Sequence, residues 1–168
     1  VPIWGGGHLT GRMGRYQFGV VNMQTKEDQA ASAPSTNFSV VRVKRDILRR
    51  SSVGLLATSR SKSQALAASS NQAFGVDGTF ALFTNLTVAT YYAQTRTDGT
   101  DRSNASYRVQ TEYAGDRYGV QLERLTIDPN FNPEVGFLRR TDLRKNYGQF
   151  RFSPRPRGSR LVRKFVGI

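Results

Sequence analysis

Breaks of alternating length, set between runs of about ten residues rich in Val, Tyr, Phe and Thr, constrain this chain more than any other feature. Short breaks fall at Gly14-Arg15, around Leu48–Arg50, at Thr84-Asn85, at Gly115-Asp116 and near Asp142–Arg144. Between them lie long polar stretches at Thr25–Asn37, Ser61–Asn71, Thr97–Asn104 and Asp128–Pro133, with little apolar content to pack. Helical periodicity is nearly absent. The runs predict strands at 8–14, 15–24, 38–47, 51–60, 72–83, 86–96, 105–114, 117–127, 134–141, 145–153 and 160–167. Short turns at one end of a meander and long loops at the other form the pattern of up-and-down transmembrane barrels. The strand–turn–strand–loop unit recurs about every thirty residues, and a tilted strand of about ten residues is long enough to cross a bilayer. The expected fold class is all-β: an antiparallel up-and-down transmembrane β-barrel segment of about 10–11 strands, with residues 1–168 forming a single unit.

Hairpin register tests this pattern. A two-residue loop at Gly115-Asp116 pairs Tyr113 with Tyr118, Thr111 with Val120 and Val109 with Leu122 on an apolar face. The opposite face then pairs Glu112 with Gly119, Gln110 with Gln121 and Arg108 with Glu123. Around Gly14-Arg15, Met13 meets Tyr16, Gly11 meets Phe18 and Leu9 meets Val20, with Arg12–Gln17 and Thr10–Gly19 behind them. Around Thr84-Asn85, Phe80 and Leu82 share the apolar face, and Asp77 is expected opposite Tyr92 on the other. A three-residue loop through Leu48–Arg50 gathers Val41, Val43, Val53, Leu55 and Ala57, but it brings Arg45 with them. At a bilayer midplane that arginine would cost roughly 2–4 kcal/mol, falling towards zero at the interface, so it belongs near the short-turn end.

A membrane barrel turns its apolar face to lipid and its polar face to the lumen, the reverse of a water-soluble sheet. Tyrosines near strand ends (Tyr16, Tyr113, Tyr118 and Tyr147) suit an interfacial girdle. No apolar layer is left over to cover the sheet. The lumen candidates are Asp77, Arg108, Gln110, Glu112, Gln121, Glu123 and Arg151, which would tune charge preference without chemistry.

Other chemistry finds little support. With no cysteine and the single histidine His8, neither a disulfide nor a thiolate or imidazole metal cluster is available, and no cofactor is expected. Gly5–Gly7 lacks the helix and the Lys-Ser/Thr of a phosphate loop, and reads as a kink entering the first strand. Glu112 and Glu123 share the polar face of neighbouring strands, as a hydrolase's carboxylate pair would, yet Arg108 and Gln121 beside them favour charge pairing. The net charge of +13 would suit a polyanion binder, the other rival. A nucleic-acid platform, however, needs aromatics and arginines on one exposed face, and here they separate, so no nucleic acid is expected.

At Asn130-Phe-Asn-Pro-Glu-Val-Gly-Phe-Leu-Arg-Arg-Thr-Asp142 the chain resembles a bacterial outer-membrane β-barrel family of unknown function. Its members join the barrel to an N-terminal domain similar to family-9 carbohydrate-binding modules. Asn37-Phe-Ser-Val-Val-Arg-Val-Lys-Arg-Asp46, Gly5-Gly-Gly-His-Leu-Thr-Gly11 and Phe152-Ser-Pro-Arg-Pro156 also look like that family. The resemblance implies a Gram-negative outer membrane, a lipid partner, glycans met through a domain not present here, and no catalytic residues. The start at Val1 without a signal segment, and the end at Phe165-Val-Gly-Ile168 without a terminal aromatic, lead to the expectation of an interior slice of a longer barrel. In that frame Asp128–Pro133 is the last outward-facing loop, stiffened by two prolines, and Glu134–Arg140 is the strand returning from it.

Overall fold

The structure, a computed structural model, describes residues 1–28, 33–63, 70–97, 104–136 and 138–154. Those residues form strands and connections without a helix. The strands are β1 (Ile3–Met13), β2 (Tyr16–Thr25), β3 (Asn37–Leu48), β4 (Ser51–Arg60), β5 (Asn71–Leu82), β6 (Leu86–Thr97), β7 (Ala105–Ala114), β8 (Tyr118–Ile127) and β9 (Leu143–Phe152). They lie in one antiparallel sheet in chain order, nine strands side by side. The described residues do not close into a barrel: β1 and β9 are the two edges of an open sheet.

The alternation of breaks survives in space. Tight turns join β1 to β2, β3 to β4, β5 to β6 and β7 to β8 at one end, and the long connections gather at the other. Gly14, at φ 58°, takes the left-handed conformation its turn needs, which glycine adopts without a Cβ penalty. The β1–β2 pairs are those expected, Met13–Tyr16 through Leu9–Val20. So are Val41–Ala57, Val43–Leu55 and Arg45–Val53 between β3 and β4, with an irregularity at Asp46/Leu48 beside the turn.

Two hairpins correct the expected register. The β7–β8 connection is longer than Gly115-Asp116, so Ala114 pairs with Gly119, Glu112 with Gln121 and Gln110 with Glu123. This is a slip of two residues. Because side chains alternate with a period of two, every residue keeps its expected face. The β5–β6 turn takes in Phe83 at φ 54°, so Leu82 pairs with Leu86 and Asp77 meets Tyr91. That slip of one residue sends Tyr92 to the apolar face.

Two strand assignments also change. No strand forms over 134–136 or 138–141: Asp128–Asp142 is a single connection at the long-loop end, and β9 leaves from it. The reason lies in pairing, since β9 occupies the edge of β8 that such a strand would need. The expected strand at 160–167 lies outside the described residues. At the other end, β1 starts at Ile3, so Gly5–Gly7 sits inside the strand next to an irregularity at Ile3/Gly5.

The sheet has almost no core. The only large hydrophobics buried among the described residues are Ile127 and Phe131. Register puts Leu9, Phe18, Val43, Leu55, Val76, Tyr92, Val109, Leu122 and Phe150 on one face, crossing every strand from edge to edge. That face stays bare: Leu55 is 58% exposed, Val76 50%, Leu122 55% and Phe150 57%.

Candidate functional site

The face opposite the bare apolar one is built from charged and amide side chains held to one another. All seven candidates named from sequence, Asp77, Arg108, Gln110, Glu112, Gln121, Glu123 and Arg151, lie on it. Arg108 donates from Nε to Glu123 Oε1 at 2.9 Å and from Nη2 to Gln110 Oε1. The other Glu123 oxygen accepts from Lys145 Nζ at 3.2 Å, so a cation holds each oxygen of that carboxylate. Arg108 and Glu123 are diagonal neighbours, since Gln110 is the residue directly across from Glu123. The expected pair therefore forms in a shifted register.

Sequence reasoning missed partners that its own alternation rule could have found. Arg42 lies between Val41 and Val43, hence on the polar face, and makes a two-pronged contact with Asp77, one prong at 2.9 Å from Nη2 to Oδ2. Gly54 makes room for that pair. A Cβ there would sit 2.6 Å from Arg42 Nη2 and 2.8 Å from Asp77 Oδ1. Gly119 does the same for Arg151, whose guanidinium reaches back to donate to the Gly115 carbonyl at 2.8 Å. Near the short turns Arg12 meets Asp46 at 3.4 Å. Planar guanidinium forks set against carboxylates give this face its geometric definition.

The Asp128–Asp142 connection contributes the remaining part. It was expected to stand outward as a rim, but its first half folds back over the polar face, past β7, to the ends of β6, β5 and β4. Asn132 N donates to Thr95 Oγ1 at 3.1 Å, and the Asn132 carbonyl accepts from Asn71 Nδ2 at 3.0 Å. Glu134 N donates to Asn71 Oδ1 at 3.2 Å. The Glu134 carboxylate, its side chain 1% exposed, accepts from Ser63 Oγ at 2.6 Å and lies 3.5 Å from Arg60 Nη1. Backbone groups that a strand would offer to a ladder are thus satisfied by side chains on β5 and β6. Asn71, fully buried, is the hub: its amide also donates to Thr97 Oγ1 at 2.9 Å.

Three of the four tyrosines expected in an aromatic girdle share one face. Tyr16, Tyr113 and Tyr118 lie on the apolar face at its short-turn margin. Tyr118 stacks on Phe152, and Arg45, paired with Tyr16, places its guanidinium over that ring at 5.0 Å. Tyr147 is on the polar face instead, donating to Gln149 Oε1 under Lys145. Its odd position in β9 sets it opposite Glu123.

Two shallow grooves of about 500 and 460 Å³ run along the apolar face, both lined by Val43, Leu55, Val76 and Tyr92. On the polar side a hollow of about 220 Å³, bordered by Glu112, Gln121, Gln149 and Arg151, is smaller than an ordinary small-molecule pocket of roughly 300 Å³ or more. Among the described residues no three acidic, histidine or cysteine side chains gather as a metal site would require. No protein-family model, no curated protein and no solved structure matches the chain.

Proposed function

We propose that this sheet is part of the wall of a transmembrane β-barrel in a Gram-negative outer membrane, serving an envelope protein as membrane anchor or channel. The observation that carries the reading is the pairing of an uncovered apolar face with an ion-paired opposite face. Leaving a Leu, Val or Phe side chain half in water forfeits roughly 1 kcal/mol of the 1.5–3 kcal/mol that burial supplies, and this face does so on every strand. Lipid chains recover that energy. The same-face run from Phe74 to Leu82 covers eight steps of about 3.4 Å, so a tilt near 40° gives roughly 21 Å of depth, close to the apolar band of such barrels.

The polar face then looks into the lumen, with the Asn130–Glu134 segment crossing it near the long-loop end. In the bilayer the edges β1 and β9 have to be met by further β-structure, because lipid cannot satisfy a bare ladder. The resemblance at Asn130–Asp142 adds a carbohydrate-binding domain as the companion of the barrel and glycans as the polymers handled nearby.

Fractionation of the full-length protein tests this. It should resist carbonate extraction and show heat-dependent mobility in detergent gels. Recovery as a detergent-independent soluble monomer would overturn the proposal.

A further inference from the structure

The two faces differ in the signs of charge their strands carry: both on one, positive alone on the other. Every acidic strand residue (Asp46, Asp77, Glu112 and Glu123) lies on the polar face. The apolar face carries only arginines: Arg45, Arg96, Arg124 and Arg144. On the polar face Arg12, Arg42, Arg60, Arg108 and Lys145 each meet a carboxylate. None of the four apolar-face arginines does so among the described residues, and Arg45 covers Tyr16 instead. A surface that displays cations alone around an apolar band is matched to an environment that supplies the anions itself.

Arg124 and Arg144 make the sharpest case. On β8 the apolar run Tyr118, Val120, Leu122 ends at Arg124, and on β9 the run Phe152, Phe150, Gly148 gives way to Asn146 and Arg144. Arg124 pairs with Asn146 and Thr126 with Arg144, so the two arginines are diagonal neighbours, roughly 7–8 Å apart at Cα. Both are exposed. Like charges so placed repel unless an anion lies between them. Tyr107, directly across from Thr126, adds a hydroxyl on the β7 side.

We propose that Arg124, Arg144 and Tyr107 bind the phosphate of a lipid headgroup at the long-loop margin of the apolar face, an inference that rests on the membrane reading above. Two guanidinium forks, each donating at about 2.7–2.9 Å, suit a tetrahedral phosphate better than a single carboxylate. The phosphate is lipid-borne, because exposed Val109 lies directly across from Arg124 and exposed Leu122 follows Arg124 into the apolar band, where acyl chains continue from the headgroup. On the long-loop side the leaflet is the outer one, so the ligand class is a phosphorylated, acylated glycolipid.

The test uses the full-length protein in detergent, with bis-phosphorylated lipid A, its dephosphorylated counterpart and inorganic phosphate as probes, read by native mass spectrometry. Wild type should retain bis-phosphorylated lipid A at least tenfold more tightly than the dephosphorylated form. Arg124→Gln/Arg144→Gln should lose that preference, Arg15→Gln in the opposite turn should keep it, and millimolar inorganic phosphate should not displace the lipid. Equal retention of the two lipids, an unchanged double variant, or displacement by inorganic phosphate would each overturn the site. If the double variant fails to insert, Arg144→Gln alone is read: a loss of about threefold supports the site and no change refutes it. Carbonate extraction of wild type keeps the two readings apart. Failure to insert refutes the barrel, whereas insertion without phosphate preference refutes only this site.

Discussion

Replacing Val76 with arginine separates a lipid-facing sheet from a water-facing one by the size of the effect. Val76 lies midway along β5, six residues from Leu82 at the short-turn end, and pairs with Leu55 and Tyr92 in the middle of the apolar face. Six residues at about 3.4 Å give ~20 Å along the strand, and a tilt near 40° turns this into ~16 Å of depth, half of a hydrocarbon core of about 30 Å. An arginine there lies inside the apolar band, one same-face position from its centre, and should cost about 2 kcal/mol or more of folding free energy in a bilayer. Ser59→Arg, on the same face but at the long-loop margin opposite Gln72, should cost about 0–1 kcal/mol. In water the difference vanishes: Val76 is already 50% exposed, and an arginine at such a surface position changes stability by roughly 0.5 kcal/mol or less. Urea titration of the full-length protein in phosphatidylcholine vesicles, followed by gel mobility, measures the difference. A Val76→Arg midpoint equal to wild type, or one no lower than that of Ser59→Arg, would refute the lipid-facing assignment.

Four further outcomes follow from the polar face. A double-mutant cycle on Arg42→Met and Asp77→Leu should return a coupling of about 1 kcal/mol, because both side chains keep about a third of their surface in contact with solvent. Gly54→Val should cost at least as much as either single change, its Cβ lying within 2.6 Å of the Arg42 guanidinium; vesicle unfolding reads both, and an additive cycle would remove the pair from the account. Asn71→Ala strips the partners from the Asn132 carbonyl and the Glu134 amide, costing about 2 kcal/mol locally, so limited proteolysis should cut within 130–141 where wild type resists; unchanged resistance would refute the anchoring role. Glu112→Gln and Glu123→Gln should leave any glycan hydrolysis by the full-length protein unchanged, since Arg108 and Lys145 hold both oxygens of Glu123; a hundredfold loss would restore the carboxylate-pair mechanism.

Strand periodicity was legible because one face had to be apolar along nearly its whole length. Nine of the expected strands are present, and the faces of Asp77, Arg108, Glu112 and Glu123 follow from alternation alone. Turn geometry was less legible. Phe83 adopts a positive φ that favours Gly or Asn, so nothing in Phe83-Thr84-Asn85 announced a longer turn, and Tyr91 and Tyr92 exchanged faces. Glu134–Arg140 misled for a different reason. Its alternation of Val135 and Phe137 against Gly136 and Leu138 looks like a strand, yet a strand also needs a free edge to pair with. That requirement is long-range and cannot be read from seven residues.

The Asp128–Asp142 connection shows how the two kinds of information combine. Its prolines shape an irregular backbone, and an irregular backbone buried away from water must find partners for its amides and carbonyls. β5 and β6 supply them from Asn71 and Thr95, which lie at 0% and 2% exposure beneath the loop. The same arrangement is economical in a barrel, where the space above the polar face is the lumen and a segment folded into it narrows the passage. An outward rim, as the prolines alone suggest, would leave Asn71, Thr95 and Glu134 without these bonds. The inward course therefore follows from hydrogen-bond accounting on the polar face, and in the proposed barrel the length and anchoring of this one connection would set how far the lumen is narrowed.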